Sequence, residues 1–174
     1  MKEIVRYGVT LSSICLIAAG LLAGVNSLTR SKILAQAQAD EESSLQEVIP
    51  QAAKFLPVKK NNALLYYKAI DKDAKFMGVV FKAYADGYAS DIETLVGLLK
   101  DDTITAIKVL SQNETPGLGT QVSEESFLKQ FNHKSIAGLN EVQAITGATI
   151  SSTAVIDAVK EKATKIKELI KNEK

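Results

Sequence analysis

Apolar and polar positions divide the chain into an uninterrupted apolar run, a mixed polar stretch, four short runs rich in aliphatic and aromatic residues, a glycine-rich passage and a periodic tail. No charged residue falls between Arg6 and Arg30, and residues 7–29 can cross roughly 30 Å of hydrocarbon at the helical rise of about 1.5 Å per residue. The pattern predicts one N-terminal transmembrane helix. A cleaved signal peptide is the competing reading, since Lys2 and Arg6 give a positive start and Ala35-Gln36-Ala37 resembles a cleavage site. Against it, the apolar run is longer than a signal core and ends well before that site. Residues 31–49 stay helix-friendly, with Leu34, Leu45, Val48 and Ile49 as apolar markers, so the helix is expected to continue as a stalk until Pro50. A second helical turn is expected between Pro50 and Pro57.

Residues 63–70, 76–85, 92–99 and 103–111 have strand character, and the polar connections between them are short. Short connections join antiparallel neighbours, so a four-stranded antiparallel meander is expected. Alternation is blurred in residues 76–81 and 95–99, which fits a sheet covered on one face by helices and partly buried on the other. Residues 123–130 read as a short capped helix offering Phe127, Leu128 and Phe131 to the core. From about residue 150 to 171, Val155, Val159, Ala163, Ile166 and Ile170 recur at helical spacing, giving an apolar stripe on a long helix. The class is therefore α+β: an antiparallel strand meander with flanking helices, preceded by the transmembrane helix.

Composition narrows the function. With 174 residues, 46% of them hydrophobic and 24% charged, the chain has room for one folded domain and an appendage. A net charge of +1 and the lack of interleaved aromatic and basic residues argue against a nucleic-acid partner. A single cysteine, Cys15, excludes an internal disulfide and a protein-only thiolate metal site; it reads as a packing residue of the span. The one histidine, His133, lies in polar F-N-H-K-S with no nucleophile motif, so it reads as a solvated loop residue and no catalytic residue is assigned. Gly20 and Gly24 have the small-xxx-small spacing that lets another membrane helix approach. Lys2 and Arg6 are matched by Arg30 and Lys32, so positive charge does not choose an orientation.

Two stretches carry candidate chemistry. Residues 144–153, A-I-T-G-A-T-I-S-S-T, bring small and hydroxylated residues to the start of the last helix. Unpaired N–H groups and the positive end of the macrodipole favour a phosphate there, on or beside Thr149. The alternative is an ordinary N-cap made by Thr146, Thr149 or Ser151. Upstream, Gly117 and Gly119 would let the main chain approach a flat ligand; otherwise that passage is a wide turn. No G-x-G-x-x-G unit is present, so the chain is not expected to bind NAD itself.

N-E-T-P-G-L-G-T at Asn113 to Thr120 and I-T-G-A-T-I-S-S at Ile145 to Ser152, in this order and spacing, resemble the FMN-binding domain of the RnfG and NqrC subunits of respiratory complexes. The resemblance runs from about Tyr66 to Val159, the membrane anchor agrees with it, and chain length favours RnfG. It implies FMN attached covalently through its phosphate to Thr149, by a separate flavin transferase using FAD as donor. Glu114, Thr115, Pro116, Gly117, Leu118 and Gly119 would then line the isoalloxazine. The helix start and the hydroxyls of Ser151 and Ser152 would stabilise the phosphate, Gly147 and Ala148 would leave room for the modifying enzyme, Thr146 of the same motif would belong to the cofactor site, and Gly87 and Tyr88 match a glycine and aromatic segment near the flavin. Where the family usually carries an aspartate six residues before the modified threonine, this sequence has Gln143.

The implied organisation is a transmembrane anchor over residues 1–29, a helical stalk and connection over 30–56, and an FMN-binding domain over 57–174. The implied function is an electron-carrier subunit, not catalytic alone, of an Rnf-type complex that oxidises ferredoxin, reduces NAD and moves ions. Its partners would be the other membrane subunits, the flavin transferase and membrane lipid. It would sit as a single-pass protein in the cell (inner) membrane with its soluble domain outside the cytoplasm. Two alternatives remain: an NqrC-like subunit of a sodium-translocating NADH:quinone reductase, and a non-redox anchored binding module.

Overall fold

The computed structural model describes residues 2–60 and 63–172 and divides into two compact units, Met1–Glu41 and Glu42–Lys174. The first unit lies within α1, a helix running from Lys2 to Val48. Large apolar side chains from Ile4 to Leu34 are exposed along it, and the helix is long and apolar enough to cross a membrane. Such a surface is stable only where something apolar covers it. Three hydroxyls within the run bond the helix itself: Thr10, Ser13 and Thr29 donate to the carbonyls of Arg6, Val9 and Val25. That removes most of the cost of placing them in hydrocarbon.

The second unit is built on a five-stranded antiparallel sheet in sequence order: β1 (Lys54–Lys60), β2 (Ala63–Ile70), β3 (Phe76–Asp86), β4 (Asp91–Leu99) and β5 (Ile104–Ser111). The four expected strands stand within one residue of their predicted ends. The expected count of four is corrected by β1, which replaces the helical turn anticipated between Pro50 and Pro57. Pro57 reads as a breaker, but β1 is the sheet edge, where a missing N–H costs nothing. There Pro57 pairs opposite Tyr67, and the register shifts just beyond it, between Val58 and Lys59.

Both faces of the sheet are covered, which accounts for the blurred alternation. On one face Tyr66, Val79, Phe81, Val96, Leu98 and Ile107 form a core with residues from the C-terminal half of the unit. That half begins with a 3-10 turn (Gly119–Ser123), α2 (Glu125–Leu128) and a second 3-10 turn (Lys129–Phe131). A third 3-10 turn (Ala137–Glu141) then leads towards the long helix α3 (Thr149–Asn172). The capped helix expected over 123–130 is corrected to this shorter α2: Ser123 ends the preceding turn, and Glu124 takes the N-cap position without a side-chain bond. Phe127 and Phe131 are buried and meet edge to face at 5.4 Å. Val155, Val159, Ala163 and Ile166 form the buried stripe of α3.

On the other face Leu45, Val48, Ile49 and Ala52 pack on Ala69, Val80 and Leu95. Gly97 makes room for them: a Cβ there would come within 2.8 Å of the Val48 carbonyl oxygen and 2.9 Å of Ile49 Cγ1. Thr105 Oγ1 donates to the same Val48 carbonyl, and Lys108 pairs with Glu47 at 2.7 Å. The last turns of α1 thus belong to the core of the second unit.

Candidate functional site

Two turns of the same kind face each other above the core. Leu118 N–H bonds the Thr115 carbonyl at 3.1 Å, with Pro116 second and Gly117 third at φ +73, the arrangement of a type II turn. Ala148 N–H likewise bonds the Ile145 carbonyl at 3.0 Å, with Gly147 third at φ +86. The first turn is braced from behind, where Thr120 Oγ1 accepts the Gly117 N–H and Gln121 Nε2 donates to the Gly117 carbonyl. The Leu118 side chain reaches the second turn, passing 3.7 Å from where a Cβ on Gly147 would sit.

The second turn launches α3. Ser152 N–H makes the bond to the Ala148 carbonyl, so the N–H groups of Thr149, Ile150 and Ser151 precede the helical ladder. Ser152 fixes this start: its Oγ accepts the Ile145 N–H at 2.9 Å and donates to the Ala148 carbonyl at 2.8 Å. Thr149 is the first helical residue and is exposed.

Between the turns lies a cleft of about 470 Å³, lined by Tyr88, by Glu114, Thr115, Leu118 and Gly119, and by residues 147–151. This volume lies in the range of roughly 300–1,000 Å³ typical of small-molecule and cofactor sites. Tyr88, Leu118 and Ile150 supply an apolar rim, and Tyr88 and Ile150 are 70% and 59% exposed. Pro116, Gly117, Thr146 and Ser152 support the turns without lining the cleft.

Glu114 is the buried polar centre of the site, 4% exposed. Its Oε1 accepts N–H bonds from Ala89 and Ser90, both at 3.0 Å, and a longer one from Ser90 Oγ at 3.4 Å. Its Oε2 accepts the Tyr88 N–H at 3.2 Å and Ser151 Oγ at 2.6 Å. Burial alone pushes this carboxyl up, but the bonds from Ser151 and from the Ala89, Ser90 and Tyr88 N–H groups outweigh it and hold it below the usual glutamate value. Gly87 sits behind the carboxylate: a Cβ there would run into Glu114 Oε1 and lie 2.6 Å from the Ser90 carbonyl oxygen. A Cβ on Gly119 would lie 2.6 Å from Oε2. The glycines at 87 and 119 therefore make room for a carboxylate.

Of the residues singled out by sequence, Glu114, Thr115, Leu118, Gly119, Gly147, Ala148, Thr149, Ser151 and Tyr88 converge on one cleft. The Ser151 and Ser152 hydroxyls, expected beside a phosphate, are committed inside the protein. Sequence reasoning missed Ile150, whose signal is an apolar residue off the buried stripe, and the N–H donors of Ala89 and Ser90, which leave no side-chain signal. Gln143 is held by its backbone, its N–H bonded to Gln130 Oε1 at 2.9 Å. His133 is exposed in a turn at φ +60.

The FMN-binding domain family matches residues 87–164, which include the whole cleft, and the RnfG N-terminal region matches residues 1–48. The G-subunit of the ion-translocating oxidoreductase complex of Methanosarcina acetivorans is 37% identical over 173 residues, covering 91% of this chain and 92% of that protein. The G-subunit of the proton-translocating ferredoxin:NAD(+) oxidoreductase complex of Clostridium ljungdahlii is 34% identical over 157 residues, covering 84% and 83%. The crystal structure of Shewanella oneidensis NqrC superposes with a TM-score of 0.49 at 23% identity, over 65% of this chain and 66% of that one.

Proposed function

The chain belongs to the RnfG family of ion-translocating oxidoreductase complexes, and we propose that it is the electron-carrying flavoprotein of an Rnf-type ferredoxin:NAD oxidoreductase. It carries FMN joined through its phosphate to Thr149. Residues 1–29 anchor it as a single-pass protein in the cell membrane, residues 30–56 connect, and residues 57–174 form the flavin domain, facing outside the cytoplasm.

The observation that carries this reading is the placement of Thr149, exposed on the first turn of a long helix and lining a cofactor-sized cleft. The Thr149, Ile150 and Ser151 N–H groups have no carbonyl of the helix to bond, so they can receive the phosphodiester, whose remaining negative charge the macrodipole favours. Glu114 takes its donors from residues 88–90 and from the Ser151 hydroxyl, and so leaves those helix N–H groups free. Tyr88, Leu118 and Ile150 offer apolar surface to a flat ring, and Gly147 keeps its edge clear of a side chain. FMN, when bound, supplies exchange of one or two electrons; the protein supplies position and tuning.

In attachment, Thr149 Oγ bonds the phosphorus of the FMN half of FAD, the pyrophosphate bond breaks, AMP leaves, and the hydroxyl proton passes to solvent. The chain needs the flavin transferase for this step, because among the described residues no base lines the cleft near Thr149 other than the fully hydrogen-bonded Glu114. The test is to make the protein with and without that enzyme and inspect a denaturing gel. Fluorescence travelling with the protein only when the transferase is present is expected; a colourless protein in both cases would point to the non-redox module.

A further inference from the structure

We propose that Glu114 sets the reduction potential of the cofactor in this cleft by holding one uncompensated negative charge at its floor; this rests on the flavin reading above. All five donors to the carboxylate are neutral, three N–H groups and two hydroxyls, and among the described residues no lysine, arginine or histidine pairs with it. Neutral donors stabilise an ionised carboxylate without cancelling its charge. The nearby start of α3 contributes about half a positive charge at most, and a phosphate on Thr149 would draw on the same half.

The fold is arranged around this charge. Three segments distant in sequence meet on it, residues 88–90, residue 114 and residue 151, and the glycines at 87 and 119 keep the space it fills. A purely structural knot would not require a group that carries charge into a buried site, since a neutral acceptor avoids most of the desolvation cost.

Two-electron reduction of a bound flavin with uptake of one solvent proton would add one negative charge to the cleft. A fixed anion lining the same cleft disfavours that gain, and salt screens it little because the carboxylate is buried. Glu114 therefore lowers the potential, as a positioning residue that acts through its field.

The experiment uses the full chain, made with a flavin transferase, as wild type, Glu114→Gln, Glu114→Asp and Ser151→Ala. Each is checked for flavin fluorescence on a denaturing gel and titrated spectroelectrochemically at one pH. Glu114→Gln is expected to raise the midpoint by at least about 30 mV, the two-electron equivalent of a tenfold change in equilibrium constant. Glu114→Asp keeps the charge and is expected to stay near wild type. Ser151→Ala removes the 2.6 Å donor, leaves the charge less shielded, and is expected to lower the midpoint. Flavin-bearing Glu114→Gln at the wild-type potential would overturn the proposal. Should that variant fail to fold, an unchanged or raised midpoint in Ser151→Ala would overturn it instead. Wild type without flavin would overturn the flavin reading itself, and this proposal with it.

Discussion

Ser151 on α3 donates its hydroxyl to the Glu114 carboxylate at 2.6 Å, across 37 residues of sequence. That contact, with the N–H bonds from residues 88–90, fastens the β3–β4 connection, the loop after β5 and the start of α3 to one buried group. Replacing Glu114 with Ala leaves these donors without an acceptor. The cost of unpaired buried donors, about 1–3 kcal/mol each before relaxation, predicts destabilisation on the order of 3 kcal/mol. Denaturant unfolding of the apo protein measures it, with Glu114→Gln expected to lose less.

The same carboxylate makes the domain acid-sensitive. Its value is lowered in the folded protein from the ordinary 4.5, so its contribution to stability is complete above that pH and is lost as pH falls through the lower folded value. Thermal melts across this range should show wild type losing stability more steeply with acid than Glu114→Gln, which has no proton to take up. Parallel curves would show that the hydrogen bonds do not favour the ionised form.

The two glycines of the T-P-G-L-G passage should respond differently to a methyl group. A Cβ on Gly117 meets nothing within 4 Å, so Gly117→Ala carries only the strain of a left-handed backbone, roughly 1–2 kcal/mol. A Cβ on Gly119 meets the Glu114 side chain at 2.6 and 2.7 Å, so Gly119→Ala is expected to lower the melting temperature further and to disturb the acid response as well.

Gly97 tests the junction with α1. A larger residue there collides with Val48 and Ile49, which contribute to the core on that face of the sheet. Gly97→Val is predicted to free the segment around residues 45–52, seen as new proteolytic cleavage near Lys54 and a lower melting temperature, with the absorbance of the flavin cleft unaffected.

Sequence revealed features whose signal is local. Strands β2 to β5 were legible from their apolar runs, whereas the Gly117 passage read only as a wide turn and the matching turn at Gly147 was not foreseen, since a lone glycine before a helix start does not name the turn type. Strand β1 was hidden because K-F-L-P-V-K-K is tolerable only at an edge, and edge position is a property of the sheet. The role of Glu114 was hidden for a similar reason. As part of N-E-T-P-G it reads as a loop residue facing a ligand, whereas its partners lie 24 to 37 residues away and are mostly backbone groups. Likewise Ser151 and Ser152 carry the hydroxyls of a phosphate site, but only the fold shows that those hydroxyls turn inward.

Peptide mass spectrometry shows whether Thr149 carries the flavin. Trypsin should release residues 135–160 as one peptide holding Thr146, Thr149, Ser151, Ser152 and Thr153. From protein made with the transferase, this peptide is predicted to gain the mass of FMN less one water, with fragment ions placing the gain on Thr149, and Thr149→Ala should abolish it. An unmodified peptide from a flavin-competent host, or a gain placed on any other residue, would rule out Thr149 as the carrier.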